Sequence, residues 1–392
     1  MKIIYQSFTS VLIALAALSP IHSHPIVAQT TKPTTQSDNH TVDNLKLIDS
    51  YTLPYTSKLD DTKVGGISGI SYNPTTKNWL LISDDRSEHN ASRFYEAKLN
   101  YNQNHFNNIQ LKSTHFLKQP NGSNYINKKH FKDNPQLEVA DPESIRLDPL
   151  YNQIMYTSEG DPGIGLNPFI RIASRNGNFI SEIPITSTQK MDKHFNHGFR
   201  NNLSLEGSTF STDGKTIWTA MEAPLIQDGK APTPLKRGFS RITQYDRQGN
   251  LLSEYAYHLD AIPKAPGKGK EAENGVSELL AINNHEFLTL ERASVQSSDG
   301  SYQNDVRIYK INTEGASDIK DQDTLKHNKF RPVKKELVSN LNKEHIAHID
   351  NLEAISFGKK LPNGHDSIVV AADNNFNKSQ ISQFIAFEVI PE

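Results

Sequence analysis

The residues best able to do chemistry in this sequence are carboxylates that recur as spaced pairs. Glu206 and Glu222 bracket one such unit within SLEGSTFSTDGKTIWTAMEAPL, which begins at Ser204. Similar units are GISGISYNPTTKNWLLISDD from Gly66, DPESIRLDPLYNQIMYTSEG from Asp141, GVSELLAINNHEFLTLERA from Gly275 and NLEAISFGKKLPNGHDSIVVAADNN from Asn351. In each, an acid, or Ser68 in the first copy, precedes a short apolar alternation and a turn rich in Asn, Asp, Gly or Pro, and a second apolar run ends on an acid. The first position reads Ser68, Glu143, Glu206, Glu278 and Glu353, and the second Asp84, Glu159, Glu222, Glu291 and Asp373. The two are 16 residues apart in the first three copies, then 13 and 20; successive first positions lie 75, 63, 72 and 75 residues apart.

Two kinds of chemistry suit such a set. Crowded carboxylates split their pKa values into an acid and a base, or they share a hard divalent cation, calcium above all, through oxygen ligands. The residue types do not separate metal ligand from proton donor, and a purely structural use, closing turns and accepting N–H bonds, is open as well. SDDRS, Ser83 to Ser87, is the richest stretch, placing Asp84 and Asp85 beside Arg86, a residue suited to phosphate or carboxylate. Arg292 stands next to Glu291 in the same way.

The elements that position these acids follow from the pattern around them. Each pair of apolar runs is followed by two more in copies one to four: RFYEAKLNYN and NIQLKSTHFL, FIRIASRNG and FISEIPI, SRITQYDRQGN and LLSEYAYHL, VRIYKINTEG and KKELVSNL. All have the short, turn-bounded, period-two character of antiparallel strands. The fifth copy has only QFIAFEVIPE, and NLKLIDSYTLP near the start supplies the missing strand. The expected fold is an all-β propeller of five four-stranded blades completed by the N-terminal strand, with six blades as the alternative count. Long loops are expected at 118–140, 226–239, 261–274 and 316–332, and KEHIAHIDNLEAI offers at most one helical turn. The acids should then converge around the central channel.

Other features narrow the function. The 392 residues carry a formal net charge of −2, so no basic field favours nucleic acid or an anionic lipid surface. Lys2, the apolar VLIALAAL and a small-residue site ending at Ala28 read as an export signal over 1–28, with an uncleaved anchor as the alternative. A polar, Thr-rich linker over 29–43 leads into a single domain over 44–392. There is no cysteine, which excludes disulfides, thiolate nucleophiles and Cys-ligated metals. No G-x-S-x-G elbow occurs, and APGKGKEAENG lacks full Walker spacing. His194 with His197, and His345 with His348 and Asp350, have metal-compatible spacings on loops.

The blocks GISGISYN…LLISDDR, DPESIRLD…YTSEGD, NLSLEGSTFS…MEAPL, GVSELLAI…LTLERA and NLEAISFG…ADNNF…QFIAFEV together resemble the phytase-like family, labelled "esterase-like activity of phytase", from about Gly65 to Val389. The resemblance implies an exported, secreted or periplasmic protein whose motif acids hydrolyse a phosphoric ester. It implies a phosphorylated small molecule or other anionic ester as partner; the near-neutral charge and the short apolar run add the expectation of no nucleic acid and no stable membrane insertion, and a monomer is expected. On this expectation Asp84, Asp85, Glu206, Glu222, Glu353 and Asp373 serve as acid/base groups or ligands. Arg86 and Arg292 orient the anion, and Glu143, Glu159, Glu278 and Glu291 complete a metal site, by analogy with calcium-dependent propeller phytases. The alternative is a non-catalytic envelope propeller that binds a ligand or protein, its acids structural or holding a structural ion. Ser68, where the other copies have an acid, makes the ring asymmetric.

Overall fold

A computed structural model describes residues 39–192 and 194–391. The export signal and most of the linker expected over 1–43 lie outside the described residues. Strand β1 (Asn44–Leu53) is followed by a small hairpin of β2 (Lys58–Leu59) and β3 (Thr62–Lys63). Blade one comprises β4 (Ile67–Asn73), β5 (Asn78–Ser83), β6 (Arg93–Tyr101) and β7 (Phe106–Phe116). Blade two comprises β8 (Pro142–Leu147), β9 (Gln153–Ser158), β10 (Phe169–Ser174) and β11 (Phe179–Ile183). Blade three holds β12 (Leu205–Phe210), β13 (Thr216–Met221), β14 (Gly238–Asp246) and β15 (Leu251–Leu259). Blade four holds β16 (Ala272–Ala281), β17 (Glu286–Gln296), β18 (Tyr302–Asn312) and β19 (Lys334–Asn340). Blade five holds β20 (Asn351–Phe357), β21 (Ser367–Asp373) and β22 (Ser382–Ile390), with β1 antiparallel to β22 as its outermost strand.

These five antiparallel sheets form a five-bladed β-propeller. The innermost strands β4, β8, β12, β16 and β20 each pack against the next, and the fifth against the first. Helix is confined, among the described residues, to four single 3₁₀ turns, one of which, Leu341–Lys343, lies just before the predicted turn at KEHIAHID. The hairpin β2–β3 went unread because its turn is Asp60-Asp61, both at positive φ (47° and 61°). That mirror-image turn is usually signalled by Asn-Gly or Asp-Gly.

The strands' apolar runs are nearly continuous because both faces of every blade are covered. In β5, Trp79 and Leu81 pack toward blade five while Leu80 and Ile82 pack toward blade two. In β21, Ile368, Val370 and Ala372 face blade four, and Val369 and Ala371 face blade one. Alternating side chains thus feed two different inter-blade cores, as strand geometry requires. Five such apolar clusters, one per blade interface, hold the ring together without a disulfide.

At the axis the inner strands come very close. A Cβ on Gly69 would stand 2.6 Å from the Glu143 carbonyl oxygen, and one on Gly207 2.7 Å from the Leu279 nitrogen. Only glycine permits that approach of backbone to backbone. Arg146 of β8 crosses the same space. It donates to the carbonyls of Ser208 (2.8 Å), Ile70 (2.6 Å) and Leu279 (3.0 Å), in three other blades, and pairs with Glu278 at 2.8 Å. One arginine therefore ties four blades together at the axis.

Candidate functional site

The acids are set by one repeated backbone device. Each inner strand carries a register shift against its neighbour, at its start in four blades and midway in blade four: between Ile67 and Gly69, Pro142 and Ile145, Leu205 and Ser208, Val276 and Glu278, and Leu352 and Ala354. A bulge sets an extra residue out of the ladder and re-aims it. The re-aimed residues are Ser68, Glu143, Glu206, Ser277 and Glu353. On the second strand, the residue just past the one paired with the last regular position is Asp84, Glu159, Glu222, Arg292 or Asp373.

Blade four therefore departs from the spacing expected from its acids. Val276 pairs with Glu291 and Gly275 with Arg292, which puts Ser277 and Arg292 at the two ring positions. Glu278 and Glu291 lie one residue away, and a single-residue shift along a strand reverses the face. Glu278 points deeper into the channel, where it takes bonds from Ser144 Oγ, Ser208 N and Leu279 N as well as Arg146. Glu291 points between blades three and four and accepts from Tyr257 Oη (2.7 Å), Lys335 Nζ (2.6 Å), Asn274 Nδ2 (2.8 Å) and Asp260 N (3.0 Å). With four donors it has no capacity left for a shared site. Glu291→Gln is expected to lower stability by about 1–3 kcal/mol, because it disrupts this buried set. Divalent-cation binding, followed by titration calorimetry, should stay unchanged.

The remaining predicted acids do converge. Asp84, Glu143, Glu159, Glu206, Glu222, Glu353 and Asp373 form one largely buried cluster with Asp141, which sequence reasoning did not single out. Asp141 lies two residues before Glu143, at a third ring position occupied elsewhere by Gly66, Ser204, Gly275 and Asn351. The signal was the lone Asp of DPES at a place otherwise small or neutral. Asp85 sits apart: its carboxylate accepts from the backbone N–H groups of Glu88, His89 and Asn90 and from Arg93 at 2.7 Å. It shapes the loop that carries Arg86.

Two guanidiniums face the cluster. Arg292 lies 3.3 Å from Glu353, 3.6 Å from Glu222 and 3.5 Å from Glu273, itself unforeseen. Arg86, half exposed at the mouth, bonds Asp141 at 2.6 Å and the Asn202 side-chain carbonyl at 2.7 Å, both through Nη2. Among the described residues its Nε and Nη1 have no partner.

Eight carboxyls against two arginines leave charge uncompensated, and the pKa shifts follow. Burial, then the neighbouring Glu206 and Asp141, pushes Glu143 well above the ordinary carboxyl range. Burial and Glu222 do the same to Glu206, and burial with Glu273 raises Glu222 despite Arg292. Glu159 is raised to about 8 by burial and Asp141, although Ser204 N donates to it at 2.5 Å. Asp141 reaches only about 6, because Arg86 and a hydrogen bond from Glu143 offset its burial. Burial also drives Asp84 and Asp373 well up and raises Glu353.

Two groups have ligand oxygens mutually within 4.8 Å: Asp141, Glu143 and Glu159, and Glu159, Glu206 and Glu222. Glu159 belongs to both. The Oδ1 atoms of Asp84 and Asp141 are buried without a hydrogen-bond partner. An all-oxygen, anionic set with orphaned lone pairs fits a hard divalent cation. The histidines predicted on loops do not join it. His197 pairs with Asp323 at 2.8 Å, His348 approaches Asp350 at 3.5 Å, and His194 and His345 are exposed.

A family model described as "Phytase-like: Esterase-like activity of phytase" matches residues 62–376. The chain belongs to the phytase-like family. The matched span covers every ring position described above. No curated protein matches the chain. Solved structures resemble it only distantly. They include a Bombyx mori GH32 β-fructofuranosidase (9% identity, TM-score 0.34, 90% of this chain and 62% of that one). Another is an oxidoreductase of glucose dehydrogenase type from Thermus thermophilus (9%, 0.36, 90% and 98%). A third is a mannose phosphorylase from Leishmania mexicana (8%, 0.34, 91% and 90%). The chain spans less than two thirds of the length of the first of these.

Proposed function

We propose that this phytase-like protein is an exported hydrolase of phosphoric esters, using the acid cluster at one mouth of the propeller channel with a divalent cation, calcium by the hardness of the donors. The carrying observation is the pair of buried carboxylate groups that share Glu159, set in an excess of negative charge that two arginines do not balance. Family membership supports the reaction class, and the short apolar N-terminus supports export; no helix among the described residues is long and apolar enough to cross a membrane.

Asp141, Glu143, Glu159, Glu206 and Glu222 would hold the cation, which when bound polarises phosphoryl oxygens and acidifies water. Arg86 presents Nε and Nη1 at the mouth, each a charged donor open to an anion's oxygen. Arg292 stays inside, locked among Glu222, Glu353 and Glu273, and sets the charge of the far wall. Asp84 and Asp373, whose carboxyls burial and neighbouring acids hold well above the ordinary carboxyl range, are the groups placed to supply a proton to a leaving alkoxide.

The test is phosphate release from phytate and from a simple phosphodiester, with calcium and with EDTA. Turnover that needs calcium, and that falls about a hundredfold in the Asp84→Asn/Glu206→Gln double variant, is the expected result. Turnover indifferent to both would remove the assignment. Calcium that raises the melting temperature with no turnover on either ester would place the chain with non-catalytic propellers instead.

A further inference from the structure

Arg86 divides the mouth of the pit into two recesses of different character. One is lined by Asp141, Glu159, Asp161, Asn201 and Asn202 with Val139 and Leu166. The other is lined by Asp84, Asp85, Glu88, His89, Asn375 and Phe376. Only the second has aromatic rings, and its construction is specific. The Phe376 ring lies over Gly65 and Gly66 beside the Asp84 carboxylate. A Cβ on Gly66 would be 2.6 Å from the ring and 2.0 Å from Asp84 Oδ1, so no side chain can intervene.

Phe376 is held there against its own preference. Its φ is 50°, and Asn375 before it is at 45°, a region that a bulky residue enters only when its surroundings impose it. The surroundings do so. Asp373 accepts from Asn375 N (2.7 Å), Asn374 Oδ1 accepts from Gly66 N (2.9 Å) and Phe376 N (3.2 Å), and Tyr55 Oη donates to the Phe376 carbonyl (2.8 Å). His89 leans on the ring at 4.4 Å between centroids. Ser87, next to Arg86, and Asn202, its hydrogen-bond partner, are also at positive φ (56° and 53°), so strained backbone gathers at this rim. A half-buried ring fixed at such cost, between an anion-binding guanidinium and the acid pit, is placed to meet what is attached to the anion.

We propose that the Phe376–His89 wall binds an aromatic ring carried by the ester, so that the preferred ligands are phosphoryl compounds of aryl or heteroaryl type, with the phosphoryl group toward Arg86 and the pit. The proposal rests on the phosphoester reading for the identity of the anion and adds the group beyond it. A ring laid against Phe376 gains an aromatic contact that an alkyl group lacks, a preference on the order of five- to tenfold.

Non-hydrolysable probes separate this from catalysis. Phenylphosphonate and methylphosphonate would be titrated by calorimetry into the calcium-loaded full chain, its Phe376→Leu variant and its His89→Ala variant, with melting curves to show that each is folded. The expected result is that phenylphosphonate binds about five- to tenfold tighter than methylphosphonate. That preference should fall to near unity in Phe376→Leu, shrink in His89→Ala, and leave methylphosphonate affinity unchanged throughout. Equal affinities for the wild type, a preference that survives Phe376→Leu and His89→Ala, or no binding of either probe would overturn it. Binding with the expected preference but no ester turnover would sink the hydrolase reading and leave this one standing.

Discussion

Stripped of divalent cations, the protein is expected to lose thermal stability as the pH rises from about 5 to about 8, and calcium should abolish most of that loss. The sign follows from which state binds the protons more tightly. In the unfolded chain the cluster acids titrate near their ordinary values of about 4. In the folded protein burial and mutual repulsion raise them, Asp141 to about 6 and Glu159 to about 8, with Glu143, Glu206, Glu222, Asp84 and Asp373 also well up. Between those limits the folded state holds more protons than the unfolded one. Its stability is therefore fullest below about pH 4, as far as this cluster is concerned, and drains away as pH climbs through the folded values. Every tenfold gain in a carboxyl's proton affinity on folding corresponds to about 1.4 kcal/mol, so the cluster as a whole commands several kcal/mol. A cation held by the same oxygens replaces the protons and removes the dependence. Melting curves at pH 5, 6, 7 and 8 in EDTA and in calcium measure this directly. A flat profile in EDTA would mean that the acids are already neutralised by the protein itself.

The second large effect belongs to Arg292. Replacing it with Met preserves bulk but leaves Glu222, Glu353 and Glu273 facing one another without their guanidinium. Removing one member of a buried charge set costs about 3–5 kcal/mol. The Arg292→Met variant should be strongly destabilised at pH 7.5 in EDTA and should recover part of the loss at pH 5, where the carboxyls can take up protons. A variant that melts like the wild type at both pH values would show that the inner arginine is dispensable and that the acids are not balanced by it.

The sequence announces the ring of blades more clearly than the ring of acids. Strand runs such as NWLLIS and SIVVAAD carry apolar side chains on both faces, and the turns between them are marked by Asn, Asp and Gly, so blade count and strand order can be read from periodicity. The orientation of an acid depends on a bulge, and a bulge has no letter of its own. In blade four the dipeptides Ser277-Glu278 and Glu291-Arg292 each set an acid beside the ring position, and counting acids selects the neighbour. The true occupants are a serine and an arginine, and the arginine turns out to be the cluster's inner counter-charge. Asp141 escaped for the converse reason, since it occupies a position where the other blades have Gly66, Ser204, Gly275 and Asn351, and no repeat of acids points to it. Asp85 looked equivalent to Asp84, yet adjacent residues leave a strand end in different directions, and three backbone N–H groups together with Arg93 claimed it.

Arg146, laced to the carbonyls of three neighbouring blades and paired with Glu278 of blade four, acts as a keystone: a disturbance at this one side chain is shared at once among four of the five blades.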